Sequence, residues 1–482
     1  MLHTKDIKNL SELSATFCDT HKKSEFFTNY VSILKLGKLH AIFQSVKQKG
    51  ISSLLLLNIL ICFPFIDTQN VHRFIGSKWH CFANHGKDAY YRLKKNPKIN
   101  WRNFLFGVVK QMLLKVSEDD SKNAVSAFIF DDTPIAKTGH KIEGVSRVWN
   151  HVIGRSVLGY QLLVMGYYDG VLFIPIDFSF HREKGNNSKN LYGLKPKHYR
   201  EQYRKKVCKQ SAGFQRRKEL NSSKIAASVK MIKRAVKKGV IADYVLTDSW
   251  FTCWEMVKTA IDNGLKYVGM FSKIKTNFVF RAKKMTYKEI RVYNRKQTKR
   301  NKKFNLYYIR TVVEWNGMPV VLYFTRKGKH GKWKVLLSTD LSANFTKTVE
   351  IYQLRWSIEV FFKETKQLLN LGKSQSTDFD VQVADTTTVM VQYIFLSIKK
   401  RIESYQTLGK LFENTKAECL EIKLHQRLIA LLIAILKIVE ELFPEVDSQK
   451  MMARMLNDSN YFERIKRIFE PDPNLETNRK VA

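Results

Sequence analysis

The chain has 482 residues, 44% of them hydrophobic and 12% aromatic, which is typical of a folded globular protein and excludes a disordered one. Eighty-three Lys and Arg against 43 Asp and Glu leave a formal net charge of +40. Such a surplus of positive charge would repel itself without a nearby polyanion, so nucleic acid is the favoured partner. A ribosome-like RNA-binding protein, or a protein that binds an anionic membrane surface, would have the same charge balance.

The N-terminal region, residues 1–118, is predicted to be helical. The run Ile51-Ser-Ser-Leu-Leu-Leu-Leu-Asn-Ile-Leu indicates a buried helix, and Lys87-Asp-Ala-Tyr-Tyr-Arg-Leu-Lys-Lys indicates a basic, aromatic one. A buried helix followed by a basic helix is compatible with a DNA-binding domain. A plain helical bundle with a solvated basic face explains the pattern equally well.

From about residue 124 the hydrophobic period becomes that of strands. Ala127-Phe-Ile-Phe-Asp-Asp, Tyr160–Tyr167 and Val171–Phe178 are predicted strands, the last two joined by a hairpin at Tyr168-Asp169-Gly170. After a long basic segment, Tyr244-Val-Leu-Thr-Asp indicates a strand, Trp254–Ile261 a helix and Tyr267–Phe271 a strand. Three strands, helix, strand, helix, strand is the order of a ribonuclease-H-like sheet. The predicted fold class is therefore α/β.

Residues 278–340 are predicted to form a β insertion within this domain, which resumes at 341–400. Phe304–Trp315 and Met318–Arg326 flank Asn316-Gly317, a strong hairpin signal, and Trp333–Ser338 adds a strand. Residues 401–482 are predicted to be a helical C-terminal region, which could serve oligomerisation or simply pack as a bundle.

The cysteines and the apolar segments indicate the cellular compartment in which the protein is expected. Six scattered cysteines without C-x-x-C spacing argue against a disulfide framework and a zinc finger. The longest apolar stretches, Ile51–Ile66 and Leu428–Val439, are too short to cross a bilayer, and no signal peptide begins the chain. We expect a cytoplasmic, reduced protein with no membrane association.

One segment near the end of the α/β region concentrates polar side chains. At about 100° per residue, four of them fall within about 60° of one another on a helix: Tyr352, Arg355, Glu359 and Lys366. Leu354, Ile358, Phe361 and Leu368 fall on the opposite, apolar side. The helix is therefore predicted to pack one side on a core and to present the four polar groups together, although a solvated face with ordinary ion pairs has the same pattern.

Carboxylates also end two of the predicted strands. Asp131 and Asp132 end the first strand, and because adjacent strand residues face opposite sides, only one of them can point into a shared site. Asp248 ends the fourth strand. Such acids suit Mg²⁺ or Mn²⁺, which prefer oxygen ligands. A turn residue or a helix N-cap is the plainer interpretation of each.

The polar stripe fits the signature Y-x2-R-x3-E-x6-K without a gap. It resembles that of bacterial insertion-sequence transposases of the DDE type, whose fold is ribonuclease-H-like. The similarity extends to Asp-Asp-Thr at 131–133, to Thr-Asp-Ser at 247–249 and to the β insertion, and covers about residues 124–400. It implies a catalytic, metal-binding triad of Asp131, Asp248 and Glu359. Asp131 is preferred because the family motif usually reads D-x-T, with Asp132 as the alternative.

The resemblance also implies roles for the neighbours of the triad. Arg355 and Lys366 would hold the phosphate of the transposon end, and Tyr352 would hydrogen-bond to it. Trp333 is the best match to a tryptophan that stacks on a flipped base in some relatives, with Trp315 behind it. For both tryptophans, a cross-strand core position is the alternative.

The function expected from the resemblance is metal-dependent cleavage and strand transfer at insertion-sequence ends, of the cut-and-paste type. Its partners would be double-stranded DNA, as terminal inverted repeats and target, and a second copy of the chain in a homodimeric synaptic complex near the bacterial nucleoid. Another ribonuclease-H-like nuclease and a non-catalytic, transposase-derived DNA-binding protein are the alternatives.

Overall fold

The computed structural model describes residues 27, 30–47, 49–77, 79–80, 85–116, 125–185, 187, 189–402 and 407–420, with isolated positions from 435 to 460. The α-helices are α1 (Ala41–Gln44), α2 (Ser53–Cys62), α3 (Val71–Ile75), α4 (Lys87–Lys94), α5 (Trp101–Val116), α6 (Pro196–Arg200), α7 (Ala212–Glu219), α8 (Lys224–Lys237), α9 (Trp254–Asp262), α10 (Tyr287–Tyr293), α11 (Phe345–Gln353), α12 (Trp356–Leu368), α13 (Phe379–Ile402) and α14 (Leu408–Leu420). The strands are β1 (Ala127–Ala136), β2 (Ser146–Asn150), β3 (Arg155–Tyr168), β4 (Phe173–His181), β5 (Tyr244–Thr247), β6 (Lys266–Phe271), β7 (Asn277–Phe280), β8 (Lys283–Thr286), β9 (Lys299–Asn301), β10 (Leu306–Trp315), β11 (Met318–Lys327) and β12 (Lys334–Ser338).

The described strands form one mixed sheet. Its order is β2-β3-β1-β5-β6-β12-β11-β10-β7-β8, with β4 paired to β3 and β9 paired to β10. Strands β1, β5 and β6 run parallel, whereas β3 and β4 are antiparallel to their neighbours. The succession β4-β3-β1-β5-β6 is that of a ribonuclease-H-like sheet, so the predicted fold class is confirmed.

One strand of this domain was not predicted. The sequence indicates three strands before the first crossover, but β2 is a fourth, and it pairs with Arg155–Gly159 at the start of β3. Its five residues alternate buried and exposed positions and include only two large apolar side chains, Val148 and Trp149. So short and polar a segment carries little periodic signal.

The centre of the sheet is buried on both faces. Phe128, Ile129 and Phe130 of β1 are wholly inaccessible to solvent, as are Val245 and Leu246 of β5. Helix α12 packs beside β1, and α8 packs against β3 and β4. Strands covered on both faces are continuous apolar runs, which is why these two were recognisable from sequence.

The β insertion continues the same sheet. Asn316 and Gly317 both have positive φ, 52° and 83°, which suits the tight turn between β10 and β11, so the predicted hairpin is confirmed. The hairpin predicted at Tyr168-Asp169-Gly170 is also confirmed, between β3 and β4. Strand β12 then pairs antiparallel with β6. The insertion thus lengthens the sheet from its β6 edge.

The chain divides into two compact units. One comprises Met1–Ile33, Gly50–Tyr90 and Lys410–Ala482, and the other Leu34–Lys49 and Tyr91–Gly409. Within the first, α2 is almost wholly buried, and Asp67 forms an ion pair of 2.7 Å with Lys416. Within the second, α5 packs against α13. The domain boundaries given by sequence stay predictions, and most of the region from 421 lies outside the described residues.

None of the helices in the described ranges is long and apolar enough to serve as a membrane span.

Candidate active site

Two carboxylates are carried by adjacent parallel strands. The prediction that Asp131 and Asp132 end the first strand is wrong, because β1 continues to Ala136 in its pairing with β3, whereas Asp248 directly follows β5. The ladder between β1 and β5 pairs Ala127 with Tyr244 and Ile129 with Leu246. Two residues further along this register, Asp131 lies opposite Asp248. Neighbouring strands of a sheet are about 4.8 Å apart. Strand pairing thus brings together acids that are far apart in sequence.

Asp131 and Asp132 point to opposite faces of the sheet, as strand alternation requires. Asp131 accepts a hydrogen bond of 3.3 Å from Arg355 Nη1, on the face covered by α12. Asp132 instead forms an ion pair of 2.9 Å with Lys224 of α8. The structure therefore brings Asp131, and not Asp132, to the side chains of the polar stripe.

Asp248 combines a local structural role with its place at the site. Its Oδ1 accepts from the backbone N–H groups of Trp250 and Phe251, at 2.9 and 3.0 Å. These bonds shape the turn that leads to α9, whose N-cap is Cys253. The turn uses only one carboxylate oxygen of Asp248 and leaves the other for different contacts.

The polar stripe is carried by two helices rather than the single predicted helix. Helix α11 ends at Gln353 and α12 begins at Trp356. Across the junction, Leu354 N–H donates to Ile351 and Arg355 N–H donates to Tyr352, each one residue closer than in an α-helix. Both junction residues keep right-handed helical φ and ψ, so the chain tightens without leaving the helical region. No Gly or Pro marks the break, which explains why the sequence does not signal it.

Arg355 connects the two outer members of the carboxylate set. Its Nη1 contacts Asp131, and its Nη2 donates to Glu359 Oε1, one turn further along α12. The ring of Tyr352 lies beside the same guanidinium, 5.9 Å from its centre. The pKa of Tyr352 is raised to about 12, mainly by burial. The negative charges of Asp248 and Asp131 act in the same direction, and the positive charge of Arg355 acts against them.

Lys366 reaches the same face of β1 two residues beyond Asp131. Its Nζ donates to Thr133 Oγ1 at 2.6 Å, and burial lowers the pKa of Lys366. Helix α12 is thereby tied to the Asp-Asp-Thr segment at both ends. Arg355, Glu359 and Lys366 of the stripe thus lie on the face of β1 to which Asp131 points.

The surroundings of Asp131 disfavour its ionised form. Burial, together with the neighbouring charges of Asp248 and Asp132, raises the pKa of Asp131 to about 7. The backbone N–H of Asp132 and the guanidinium of Arg355 oppose this only in part. Carboxylates held close in a half-buried site favour a bound positive charge.

The side chains of this site carry the type of ligand atom that a divalent ion prefers. Asp131, Asp248 and Glu359 offer only hard oxygen ligands, as Mg²⁺ and Mn²⁺ prefer. Among the described residues, no three His, Cys, Asp or Glu side chains are close enough to hold an ion as they stand. The guanidinium of Arg355 lies between Asp131 and Glu359 and supplies the positive charge there.

The raised pKa of Asp131 predicts how stability depends on pH in metal-free buffer. Its pKa is about 7 when folded, against a usual value of 3.8, so the folded chain binds this proton more tightly. The resulting stability is present at low pH and is lost as the pH rises through about 7. Between pH 5 and 8 we expect the unfolding free energy of wild type to fall by on the order of 2 kcal/mol relative to Asp131→Asn, measured by urea denaturation. Parallel curves for the two proteins would contradict this.

The two tryptophans differ in their surroundings. Trp315 is 5% exposed and packs among Trp254, Phe271 and Phe278, so the core interpretation describes it. Trp333 is half-buried just before β12, with the guanidinium carbons of Arg326 and Arg291 at 4.7 and 5.6 Å from its ring. An aromatic face between two cations is compatible with contact to a nucleobase.

Three nearby residues were missed by the sequence analysis. Lys224 pairs with Asp132 and lies 4.0 Å from the ring of Trp250, a tryptophan that is 46% exposed and lies two residues after Asp248. Buried Lys137 donates to the carbonyls of Gly372 and Ser374 in the loop after α12, and burial lowers its pKa to about 8. The sequence did contain a signal for Lys137, because alternate residues of a strand share a face and Lys137 falls on the face of Asp131. Lys224 had no such signal, because its contacts are made across the fold.

One protein family matches part of the chain. A family described as DDE superfamily endonuclease matches residues 83–306. The match includes Asp131 and Asp248 and ends before the segment from Tyr352 to Lys366. Comparison with curated proteins gives no match.

Proposed function

We propose that this chain, which carries a DDE superfamily endonuclease domain over residues 83–306, is an insertion-sequence transposase that cuts DNA at the element's ends and joins them to a target. One observation carries the proposal. Asp131 of β1 and Asp248 after β5 lie on adjacent parallel strands, and Glu359 is linked to Asp131 through Arg355. Three acids drawn from separate elements towards one face of the sheet support a metal-dependent, phosphodiester-cleaving enzyme.

The metal would be held by Asp131, Asp248 and Glu359. When bound, divalent ions activate the attacking oxygen and stabilise the leaving one. Asp131 must be ionised to serve as a ligand, and its raised pKa means that a positive neighbour is needed at neutral pH. Arg355 provides that neighbour in the structure as it stands, and so holds Asp131 and Glu359 in place for an ion.

Three residues are proposed to grip the phosphate of the transposon end. Arg355 offers a planar fork of donors that suits two phosphate oxygens, and Lys366 offers a point charge. Tyr352 keeps its proton at neutral pH, since its pKa is raised to about 12, and can donate a hydrogen bond. All three lie on the side of α11 and α12 that faces the acids, which is where the scissile phosphate must lie.

Trp333 is proposed to stack on a base near the cleaved phosphate. Its half-exposed ring between Arg291 and Arg326 supports the role, because aromatic faces bind bases and arginines bind the adjacent phosphates. Trp315, packed in the core, is not proposed for it.

Both DNA and a second copy of the chain are proposed partners. The net charge of +40 favours a polyanion, and the matched family is described as one of endonucleases. Strand transfer of a whole element needs its two ends held together, so we propose a homodimeric synaptic complex acting near the bacterial nucleoid.

The test uses purified protein, Mg²⁺ or Mn²⁺, and duplex DNA carrying the sequences that flank the coding region. We expect cleavage at the end of a terminal inverted repeat, followed by covalent joining of the freed 3′ end to a second duplex, resolved on denaturing gels. EDTA and a duplex with a scrambled repeat serve as controls, and both are expected to give no product.

Other outcomes would identify the alternatives. Cleavage without joining, indifferent to the repeat sequence, would indicate another ribonuclease-H-like nuclease. Repeat-specific binding without cleavage under either metal would indicate a non-catalytic DNA-binding protein. Each of these results would replace the transposase proposal.

A further inference from the structure

A second charged cavity lies in the catalytic unit and contains none of the candidate active-site residues. It has a volume of about 580 Å³ and lies at the N-terminal ends of α5 and α7. Its walls include Lys98, Trp101, Arg102, Gln215, Arg216 and Arg234. The cavity is therefore rich in cationic and N–H donor groups.

The arginines of this wall belong to a buried ion cluster with unequal charges. Asp177, which is wholly buried, contacts Arg102 at 2.8 Å and Arg234 at 2.7 Å. Arg216 lies 4.0 Å from Asp177 and 3.4 Å from Glu219. Glu219 also pairs with Arg102 at 2.9 Å. Three guanidinium groups share two carboxylates, so one positive charge stays unbalanced.

Arg216 is the member of the cluster whose hydrogen bonding is incomplete. Its side chain is only 6% exposed, and Nη1 donates to the carbonyl of Phe178. Its Nη2 is buried and has no partner within the part of the chain that the structure describes, and the same holds for Nε1 of Trp101. Burial, and then repulsion from Arg102, lowers the pKa of Arg216 to about 10, which leaves it charged at neutral pH. A buried charged donor without an acceptor is costly, so an anion in the cavity would be favoured.

The remaining wall adds one unbalanced carboxylate and one ammonium group, which offset each other. Asp380 lines the cavity and accepts from Arg217 at 2.8 Å and from Lys205 at 2.9 Å, but both cations also pair with other carboxylates. Helices α5 and α7 begin at the cavity, where their dipoles favour negative charge, and Asn100 and Ser211 already accept from one first-turn N–H group each. Lys98 adds an exposed ammonium group at the wall.

We propose that this cavity binds a phosphate group, from a DNA backbone or from a free phosphate compound. Three guanidinium side chains, an indole side chain, an ammonium group and the first residues of two helices line it. A phosphate offers several charged oxygens to such a set, whereas a carboxylate offers only two. The binding does not depend on the DNA cleavage proposed above.

The test is titration of the full chain with inorganic phosphate, in buffer free of other multivalent anions, by isothermal calorimetry. We expect saturable binding to wild type that weakens by about tenfold in Lys98→Gln and in Arg216→Met, because each change removes a charged donor. Lys283→Gln, which removes an exposed charge in the β insertion, should bind phosphate as wild type does. If Arg216→Met melts too early to be tested, the exposed Lys98 variant suffices. No saturable binding to wild type, or equal binding by wild type and Lys98→Gln, would overturn the proposal.

A competition arm identifies the source of the phosphate. If the source is DNA, a short duplex displaces inorganic phosphate, and Lys98→Gln loses more DNA affinity than Lys283→Gln. If the source is a free compound, the duplex leaves phosphate bound. These measurements need neither divalent metal nor cleavage, so their failure is distinct from failure of the transposase proposal.

Discussion

Glu359→Gln is expected to abolish DNA cleavage, lowering its rate at least about a hundredfold, while binding of the transposon end is retained. The change keeps the size of the side chain and removes the charge that a divalent ion needs. It also removes the ion pair with Arg355, whose guanidinium is left with Asp131. Cleavage is measured on a duplex with one labelled end, and binding by gel shift without divalent metal.

The matched control for this experiment is Glu350→Gln. Glu350 lies on α11, close in sequence to Glu359, but its carboxylate pairs with Lys303 of the β insertion. Cleavage by this variant should stay within about twofold of wild type, since exposed ion pairs contribute little. If Glu359→Gln cuts DNA as fast as the Glu350 variant does, Glu359 is not a metal ligand and the proposed triad is wrong.

Asp177→Asn is expected to lower the free energy of unfolding by about 3–5 kcal/mol, because it leaves buried arginines without their shared partner. Burial alone would raise the pKa of Asp177, but Arg102, Arg234 and Arg216 outweigh it and hold the pKa near 2. The carboxylate is therefore ionised across the range of stability measurements. Chemical denaturation of the two proteins at pH 7 measures the loss.

An exposed aspartate supplies the comparison. Asp262 ends α9 at the surface, and Asp262→Asn should change stability by no more than about 0.5 kcal/mol. A loss under about 1 kcal/mol for Asp177→Asn would mean that the arginines find other acceptors, and that the cluster is not held together by this carboxylate.

The two charged sites differ in what their arginines do. Arg355 lies at a half-exposed place between acids that are proposed to take a metal, so it is positioned to exchange partners when ions and DNA arrive. Arg102 and Arg234 form ion pairs with Asp177, a buried acid on the other face of the sheet. Asp177 is paired with Met165 of β3, which is paired with Phe130 of β1, so Asp177 shares the face of Phe130 and not that of Asp131. Loss of the first arginine should affect chemistry, and loss of the others the fold.

Several features were predictable because they rest on local rules. The apolar runs before Asp131 and Asp248 indicated buried strands, since a strand covered on both faces must be apolar. Asn316-Gly317 indicated its hairpin, because few residue pairs adopt two successive positive φ angles. Helical periodicity placed Tyr352, Glu359 and Lys366 on one side, and the junction at Leu354 and Arg355 did not disturb this.

Tertiary structure decided the rest, because it depends on contacts between distant segments. Which of Asp131 and Asp132 faces α12 is set by how the whole sheet pairs and packs, and a one-residue shift would reverse the choice. The exposure of Trp333 and the burial of Trp315 follow from the same kind of packing. The arginine cluster around Asp177 had no sequence signal, since its members come from α5, α7 and α8 and meet only when the chain is folded.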